Sequence, residues 1–235
     1  TADLAGQFPG VRVLTTPEAS KAGALRLGDE AAGADFPRIY VDADVELGSA
    51  DVHALVAALE RPGVLAAAPA REIPRGGAPW TVRWYYDVWE RLPAVRRGVF
   101  GRGVIALSAA GFTRVSALPA VLADDLAMSS TFTDTERVVV PDATVVVHPP
   151  RTWADLLRRR VRAVTGTAQV YTGDAAPTTD SRTRRGDLVD LLRREPGLAP
   201  KLAVFLVVTV IARRRAARVV ARGDFTTWLR DDSSR

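Results

Sequence analysis

Short apolar runs alternate with amphipathic segments through the first third of the chain. Strand candidates lie at 11–14, 39–41 and 64–68, and a helix candidate follows each of the first two, ending at Gly33 and Gly63. A β-α-β-α-β order predicts parallel strands joined by right-handed crossovers. We therefore expect an α/β domain with a Rossmann-like sheet flanked by helices.

The middle of the chain is less regular. Residues 69–79 are polar and predict a mobile loop, and 80–92 predict a helix that carries Trp84, Tyr85, Tyr86 and Trp89. These rings form either a stacking surface for sugars or bases, or simply core. The arginine- and glycine-rich segment 96–103, which leads to a strand at 104–107, either approaches a ligand closely or is a solvated hairpin.

The last third alternates strands and basic helices. Two β-branched strands are predicted at 138–140 and 144–147, followed by an arginine-rich helix at 153–165. A short helix at 187–194 precedes a long one at 198–222, which is apolar in its first half and arginine-rich in its second. Its longest apolar run has 11 residues (202–212), against about 20 for a bilayer, so no transmembrane helix is expected. The long helix either lies in a membrane interface or packs on the domain or on a second subunit.

Two pairs of aspartates lie at the ends of predicted strands or helices. Asp42 and Asp44 directly follow the strand at 39–41, and Asp124 and Asp125 open a short helix that runs to residue 132. Ligands of open α/β sheets bind outside the carboxyl ends of strands, and Mg²⁺ and Mn²⁺ prefer carboxylate oxygen. The first pair is therefore a candidate for a cation that bridges to a substrate diphosphate. Turn formation and helix capping are the structural alternatives for both pairs.

Composition narrows the possible chemistry. The chain has no cysteine and two histidines, which excludes disulfides, thiolate sites and histidine-rich metal sites. Residues 1–150 carry 14 basic and 18 acidic side chains, whereas 151–235 carry 18 and 9. The basic C-terminal part suits phosphates or anionic lipid, while the acidic remainder argues against nucleic acid.

The order of the motifs resembles family-two glycosyltransferases of the GT-A fold, from about residue 11 to 169. That family carries G-K-x-x-A-L-N, D-x-D, E-D-x-x-L and Q-x-x-R-W, and this chain carries S-K-A-G-A-L-R from Ser20, D-A-D, D-D-L and R-R-V-R-A from Arg159. It departs from the pattern at Ser20, Arg26, Asp124, Arg159 and Ala163. The resemblance implies a mixed, mainly parallel sheet. It also implies a first βα unit, for which the roughly ten residues before Val11 leave no room, so a domain incomplete at its N-terminus is expected.

The resemblance also implies a reaction and a set of site residues. A sugar would pass with inversion from a nucleotide-diphosphate sugar to an acceptor hydroxyl, with Mg²⁺ or Mn²⁺ assisting. Asp125 is the implied general base, and Asp44 with Asp42 the implied metal ligands. His148, after the last strand, either completes the metal shell or is an ordinary strand-end residue. Donor contacts are implied for Lys21, Asp42, Asp124, Arg159 and Arg162.

The predicted glycosyltransferase domain spans 1–170, and 171–235 form a polar loop and a helical extension. By resemblance, the acceptor is a glycan or glycolipid of the cell surface, and the protein is cytoplasmic, at or near the inner face of the membrane. Two other functions stay open. A nucleotidyltransferase with a carboxylate-bound metal would want an early glycine-rich phosphate loop, which the sequence lacks. A non-catalytic basic module for membrane or nucleic acid is the third.

Overall fold

The computed structural model describes residues 2–17, 20–118, 124–172 and 183–221, and the chain divides into two compact units, 1–36 and 37–235. The first unit contains α1 (Ala2–Ala5) and α2 (Lys21–Ala32). The Ser20 hydroxyl caps α2 by accepting from the Gly23 amide at 3.1 Å, so the helix begins later than Pro17, where the sequence placed its start. Gly33, at a φ of 62°, ends α2 as predicted.

The strand predicted at 11–14 is wrong. Its four residues are exposed, and none of the described strands pairs with them. A strand exists only where a ladder satisfies its backbone amides and carbonyls, and an apolar run cannot supply that partner by itself. The sheet begins instead in the second unit.

The second unit is built on four strands, in the order β1 (Arg38–Val41), β3 (Val104–Leu107), β2 (Ala66–Glu72) and β4 (Arg137–Val146). β3 is antiparallel to both β1 and β2, and β2 is parallel to β4. Three strands therefore run in one direction and one is reversed, which confirms a mixed sheet. β1 and β2 run in the same direction, as the β-α-β-α-β pattern predicted, but they are not neighbours, because β3 inserts between them.

Two predicted boundaries change where β2 meets β4. β2 continues to Glu72, through residues expected to belong to a mobile loop. The two strands predicted at 138–140 and 144–147 are one strand with a bulge, since Pro69 pairs with Val140 and Ala70 with Thr144. Pro141 lies in that bulge, where its missing N–H breaks no ladder hydrogen bond.

Most of the remaining helices agree with the sequence prediction, but those at Pro93–Arg97 and Ala109–Ser116 were not predicted. α8 continues to Thr172, beyond its predicted end, and the rest of the predicted polar loop, 173–182, lies outside the described residues. A 3₁₀ turn at Pro196–Leu198 precedes the last helix. The helices are α3 (Ser49–Leu59), α4 (Trp80–Trp89), α5 (Pro93–Arg97), α6 (Ala109–Ser116), α7 (Asp124–Ser130), α8 (Trp153–Thr172), α9 (Arg185–Arg194) and α10 (Ala199–Ala221).

Side chains alternate between the two faces of the sheet. Ala67 and Val104 pack with Leu55 of α3 on one face, and Ala66 and Ile105 lie in a cluster with Phe132 on the other. Both faces are therefore covered, which agrees with an α/β domain.

A third cluster joins α4, α8 and α10. Tyr85 stacks on Phe205 with ring centroids 5.1 Å apart, and Val208 and Leu156 are fully buried beside them. The core interpretation of the α4 aromatics is confirmed for Tyr85 and Tyr86, and the partly buried Trp89 packs against the same cluster, whereas Trp84 is only partly buried. One side of α10 thus packs on the domain, while the predicted boundary near residue 170 stays a prediction.

Candidate active site

The D-A-D motif lies in the turn that follows β1, as its sequence position predicted. The Asp42 amide donates to the Gly103 carbonyl at 2.7 Å, and the Asp42 carbonyl accepts from the Val45 amide at 3.1 Å. Asp42 and Asp44 are both exposed. Because Val41 pairs with Val104, the turn sits beside the start of β3 and the glycine-rich segment that leads into it.

Gly103 allows that close approach. Its φ is +68°, and a Cβ built on it would stand 2.4 Å from Cγ2 of Val45 and 3.5 Å from Oδ2 of Asp42. A side chain at this position would therefore push the acidic turn away from the loop.

Asp125 is held by the same segment. Its Oδ2 accepts from the Gly101 amide at 2.6 Å, and its Oδ1 accepts from the Leu126 amide at 2.8 Å. One turn later on α7, the Ser129 hydroxyl accepts from the Val99 amide at 3.2 Å. Only Arg102 lies between Gly101 and Gly103, so the segment 101–103 bridges the second aspartate pair to the first.

Arg102 anchors the segment 101–103, because its buried guanidinium donates hydrogen bonds to backbone carbonyls around it. Its Nη1 donates to the Pro69 carbonyl at 3.0 Å, and its Nε donates to the Gly98 carbonyl at 3.2 Å. Burial, and secondly the charge of Arg71, lower the pKa of Arg102 to about 9, so the group stays cationic at neutral pH. The solvated-hairpin interpretation of this loop is wrong for Arg102, which is 3% exposed.

Arg71, near the end of β2, supports the loop from the side. Its Nη1 donates to the Gly101 carbonyl at 2.9 Å, and its Nη2 donates to the Val95 carbonyl at 2.7 Å. Burial lowers the pKa of Arg71 to about 10, against a smaller raising effect of nearby acidic groups that include Asp125. The sequence offered no signal for this role, since residues 69–72 were predicted as loop.

An aromatic wall leads from Arg71 to α8. The Arg71 guanidinium lies 4.6 Å from the Trp89 ring, and Trp89 meets Tyr86 edge to face at 5.5 Å. The Tyr86 hydroxyl accepts from Nη1 of Arg159 at 3.3 Å, and the same nitrogen donates to the His148 carbonyl at 3.1 Å. A continuous series of contacts thus joins Asp42, Asp125 and Arg159, three residues that sequence reasoning singled out separately.

The other candidate residues are located less fully. Arg162 lies on α8, three positions after Arg159, and Asp124 is the first residue of α7, with its side chain outside the described residues. Lys21 is exposed at the start of α2, in the first of the two compact units. The roles assigned to these residues stay predictions.

The acidic turn fits one mode of metal binding. Among the described residues, no group of three or more histidine, cysteine, aspartate or glutamate side chains could hold a metal ion, and exposed His148 joins no such group. Asp42 and Asp44 do supply two solvent-facing carboxylates. Mg²⁺ is commonly held by one or two carboxylates, with substrate phosphates and water as its other ligands. The pair therefore fits a cation shared with a diphosphate, and not a closed protein cage.

A mixed sheet covered by helices, with an acidic turn at a strand end, is compatible with the Rossmann-like fold of glycosyltransferases. The chain is similar to the solved mannosyltransferase PcManGT from Pyrobaculum calidifontis, in complex with GDP-Man and Mn²⁺, with a TM-score of 0.51 and 18% identity. The match covers 90% of this chain and 58% of that protein, and at this identity it shows the fold alone. No protein-family model matches the sequence, and no curated protein matches it.

Proposed function

We propose that this chain is the core of a glycosyltransferase that moves a sugar from a nucleotide-diphosphate sugar to an acceptor hydroxyl. The observation that carries the proposal is the segment 101–103, which binds the Asp42 backbone at one end and the Asp125 carboxylate at the other. Support also comes from the shared fold of the mannosyltransferase that was solved with GDP-Man and Mn²⁺.

Asp125 is the proposed general base. The acceptor oxygen bonds to the anomeric carbon, the bond from that carbon to the diphosphate oxygen breaks, and the acceptor proton passes to Asp125. The Gly101 and Leu126 amides each donate to one carboxylate oxygen and so hold the carboxylate in one orientation. A base on the face of the sugar opposite the diphosphate gives inversion, as in family-two enzymes.

The donor side is assigned to the exposed turn and to α8. Asp44 and Asp42 would hold Mg²⁺ or Mn²⁺, which when bound neutralises charge on the leaving diphosphate. Asp42 also meets donor hydroxyls. Arg159, oriented by the Tyr86 hydroxyl and the His148 carbonyl, would meet the same phosphates together with Arg162.

The remaining assignments rest on the resemblance to family two. Lys21 and Asp124 are further donor contacts, and the acceptor is a glycan or glycolipid met at the cytoplasmic side of the membrane. No contact of a described residue supports these four assignments, so they are tested after donor binding has been established.

Donor binding and turnover test the assignment separately. Calorimetry with GDP-mannose and other nucleotide sugars, with and without Mn²⁺, should show metal-dependent binding that Asp44→Ala abolishes. Asp125→Asn should keep donor affinity within about twofold while turnover falls by about 10² to 10⁴, the usual contribution of a general base. Asp190→Asn, at an exposed position of α9, is the matched control for both variants.

The products separate this reaction from its main alternative. Glycosyl transfer releases a nucleoside diphosphate, whereas nucleotidyl transfer releases pyrophosphate. Full turnover by Asp125→Asn would overturn the role of that residue. Release of pyrophosphate would overturn the proposed reaction.

A further inference from the structure

Helix α10 has two different sides. Phe205, Val208, Ala212 and Ala216 are buried along one side, which packs on α4 and α8. On the other side, the large apolar side chains Leu206, Val207 and Val210 are 42%, 51% and 46% exposed. Soluble surfaces scatter such residues singly, whereas these three lie on one side of one helix and form a contiguous apolar patch.

All charged side chains in the second half of the same helix are basic. Arg213, Arg214, Arg215 and Arg218 are exposed, and α10 contains no acidic residue. Lys201, at the start of the helix, is neutralised by Asp87 at 2.7 Å, whereas none of the four arginines forms an ion pair with a described residue. An apolar face continued by exposed arginines is complementary to an apolar layer edged with negative charge.

The packing of α10 determines whether the helix would cross such a layer or lie along its surface. By length and composition, Pro196–Ala221 is the one helix in the described part of the chain able to cross a membrane. Its buried side, however, follows α4 and α8 for most of its length, with the Lys201–Asp87 ion pair near one end. Crossing a bilayer would strip α10 from these helices, whereas lying along its surface leaves every one of these contacts intact.

We propose that the outer side of α10 docks flat on an anionic lipid bilayer. Leu206, Val207 and Val210 enter the boundary between headgroups and acyl chains, and the four arginines meet lipid phosphates. The helix has 23 residues, so about 35 Å of the domain would lie along the surface. This proposal does not depend on the chemistry proposed for the site.

Vesicle flotation tests the surface directly. The chain should float with vesicles of phosphatidylcholine and phosphatidylglycerol, but not with phosphatidylcholine alone, and less at high salt. Replacing Arg213, Arg214 and Arg215 by Gln should lower partitioning about 10²-fold, from about fivefold per arginine near an anionic surface. Leu206→Gln with Val207→Gln and Val210→Gln should lower it at least about tenfold.

The first unit supplies a matched control. Val11, Val13 and Leu14 are 50%, 41% and 37% exposed, and their replacement by Gln should leave flotation unchanged. The chain has no cysteine, so Val207→Cys carries an environment-sensitive dye at a single site. Its emission should rise with anionic vesicles while that of Val13→Cys does not, a readout that does not need a triple variant to fold.

Three results would overturn the proposal. Equal flotation of the arginine variant would exclude the charge contribution. Bound protein that resists alkaline carbonate would show that α10 crosses the bilayer. A dimer in sedimentation that the Leu206, Val207 and Val210 variant converts to monomer, together with no vesicle binding, would assign this side to a second copy of the chain.

Discussion

Gly103→Ala tests whether the glycine segment sets the position of the acidic turn. Two costs add at this residue. An alanine at a φ of +68° costs about 1–2 kcal/mol. Its Cβ would also stand 2.4 Å from Cγ2 of Val45, which forces repacking at a further 1–3 kcal/mol or so. We expect the free energy of unfolding to fall by about 2–5 kcal/mol.

Urea denaturation measures that loss of stability, and two further variants separate its backbone part from its steric part. Gly63 has a φ of +82°, and a Cβ added to it would meet nothing within 4 Å, so Gly63→Ala should show the backbone cost alone. Val45→Ala in the Gly103→Ala background removes the colliding methyl group and should restore the steric part. If Gly103→Ala loses no more stability than Gly63→Ala, or if Val45→Ala restores nothing, the close contact does not constrain the turn.

Three other substitutions test hydrogen bonds that stabilise the fold around the candidate site. Arg102→Met leaves several buried carbonyls without a donor and should lower stability by about 2–4 kcal/mol, measured by urea denaturation. Ser129→Ala removes the acceptor of the buried Val99 amide and should cost about 1–3 kcal/mol in the same assay. The Thr133 amide, and secondarily Arg114, lower the pKa of Glu136, so its stabilisation is present above its unfolded pKa and is lost as the pH falls through the folded value. Glu136→Gln should therefore flatten the acid limb of a thermal stability profile.

Each of these changes has an exposed counterpart. Arg61→Met, Ser116→Ala and Glu60→Gln replace the same residue types at exposed positions and should each change stability by less than about 0.5 kcal/mol. Equal losses in a variant and its counterpart would mean that the named hydrogen bonds do not account for the effect.

Local rules predicted the elements whose signals lie within a few residues. The strand before Asp42, the glycine stop at Gly33 and the extent of α10 follow from apolar period and capping chemistry. The same rules placed a strand at 11–14, because they cannot see whether a partner strand exists. They also divided β4 at Pro141, where a bulge keeps a single strand continuous.

The features that the sequence did not predict depend on hydrogen bonds to backbone groups that lie far apart along the chain. β3 inserts between β1 and β2, a pairing that no local pattern encodes. Arg71 has no signal in the sequence, and Arg102 was expected either to approach a ligand or to be solvated, yet each donates to a carbonyl more than twenty residues away. A buried loop needs donors for its carbonyls, and arginine, with five N–H groups, can serve several at once.

The candidate site shows how these two kinds of information combine. Asp42 and Asp125 lie 83 positions apart, and their residue types alone allow capping as readily as chemistry. What distinguishes them is that one three-residue segment binds both. Arg71 and Arg102 hold that segment in place by hydrogen bonds to backbone carbonyls. Two capping aspartates with no common task would not need a shared, doubly braced loop. Separate donor-binding and turnover measurements on Asp44→Ala and Asp125→Asn test the joint role that we propose for the two acidic segments.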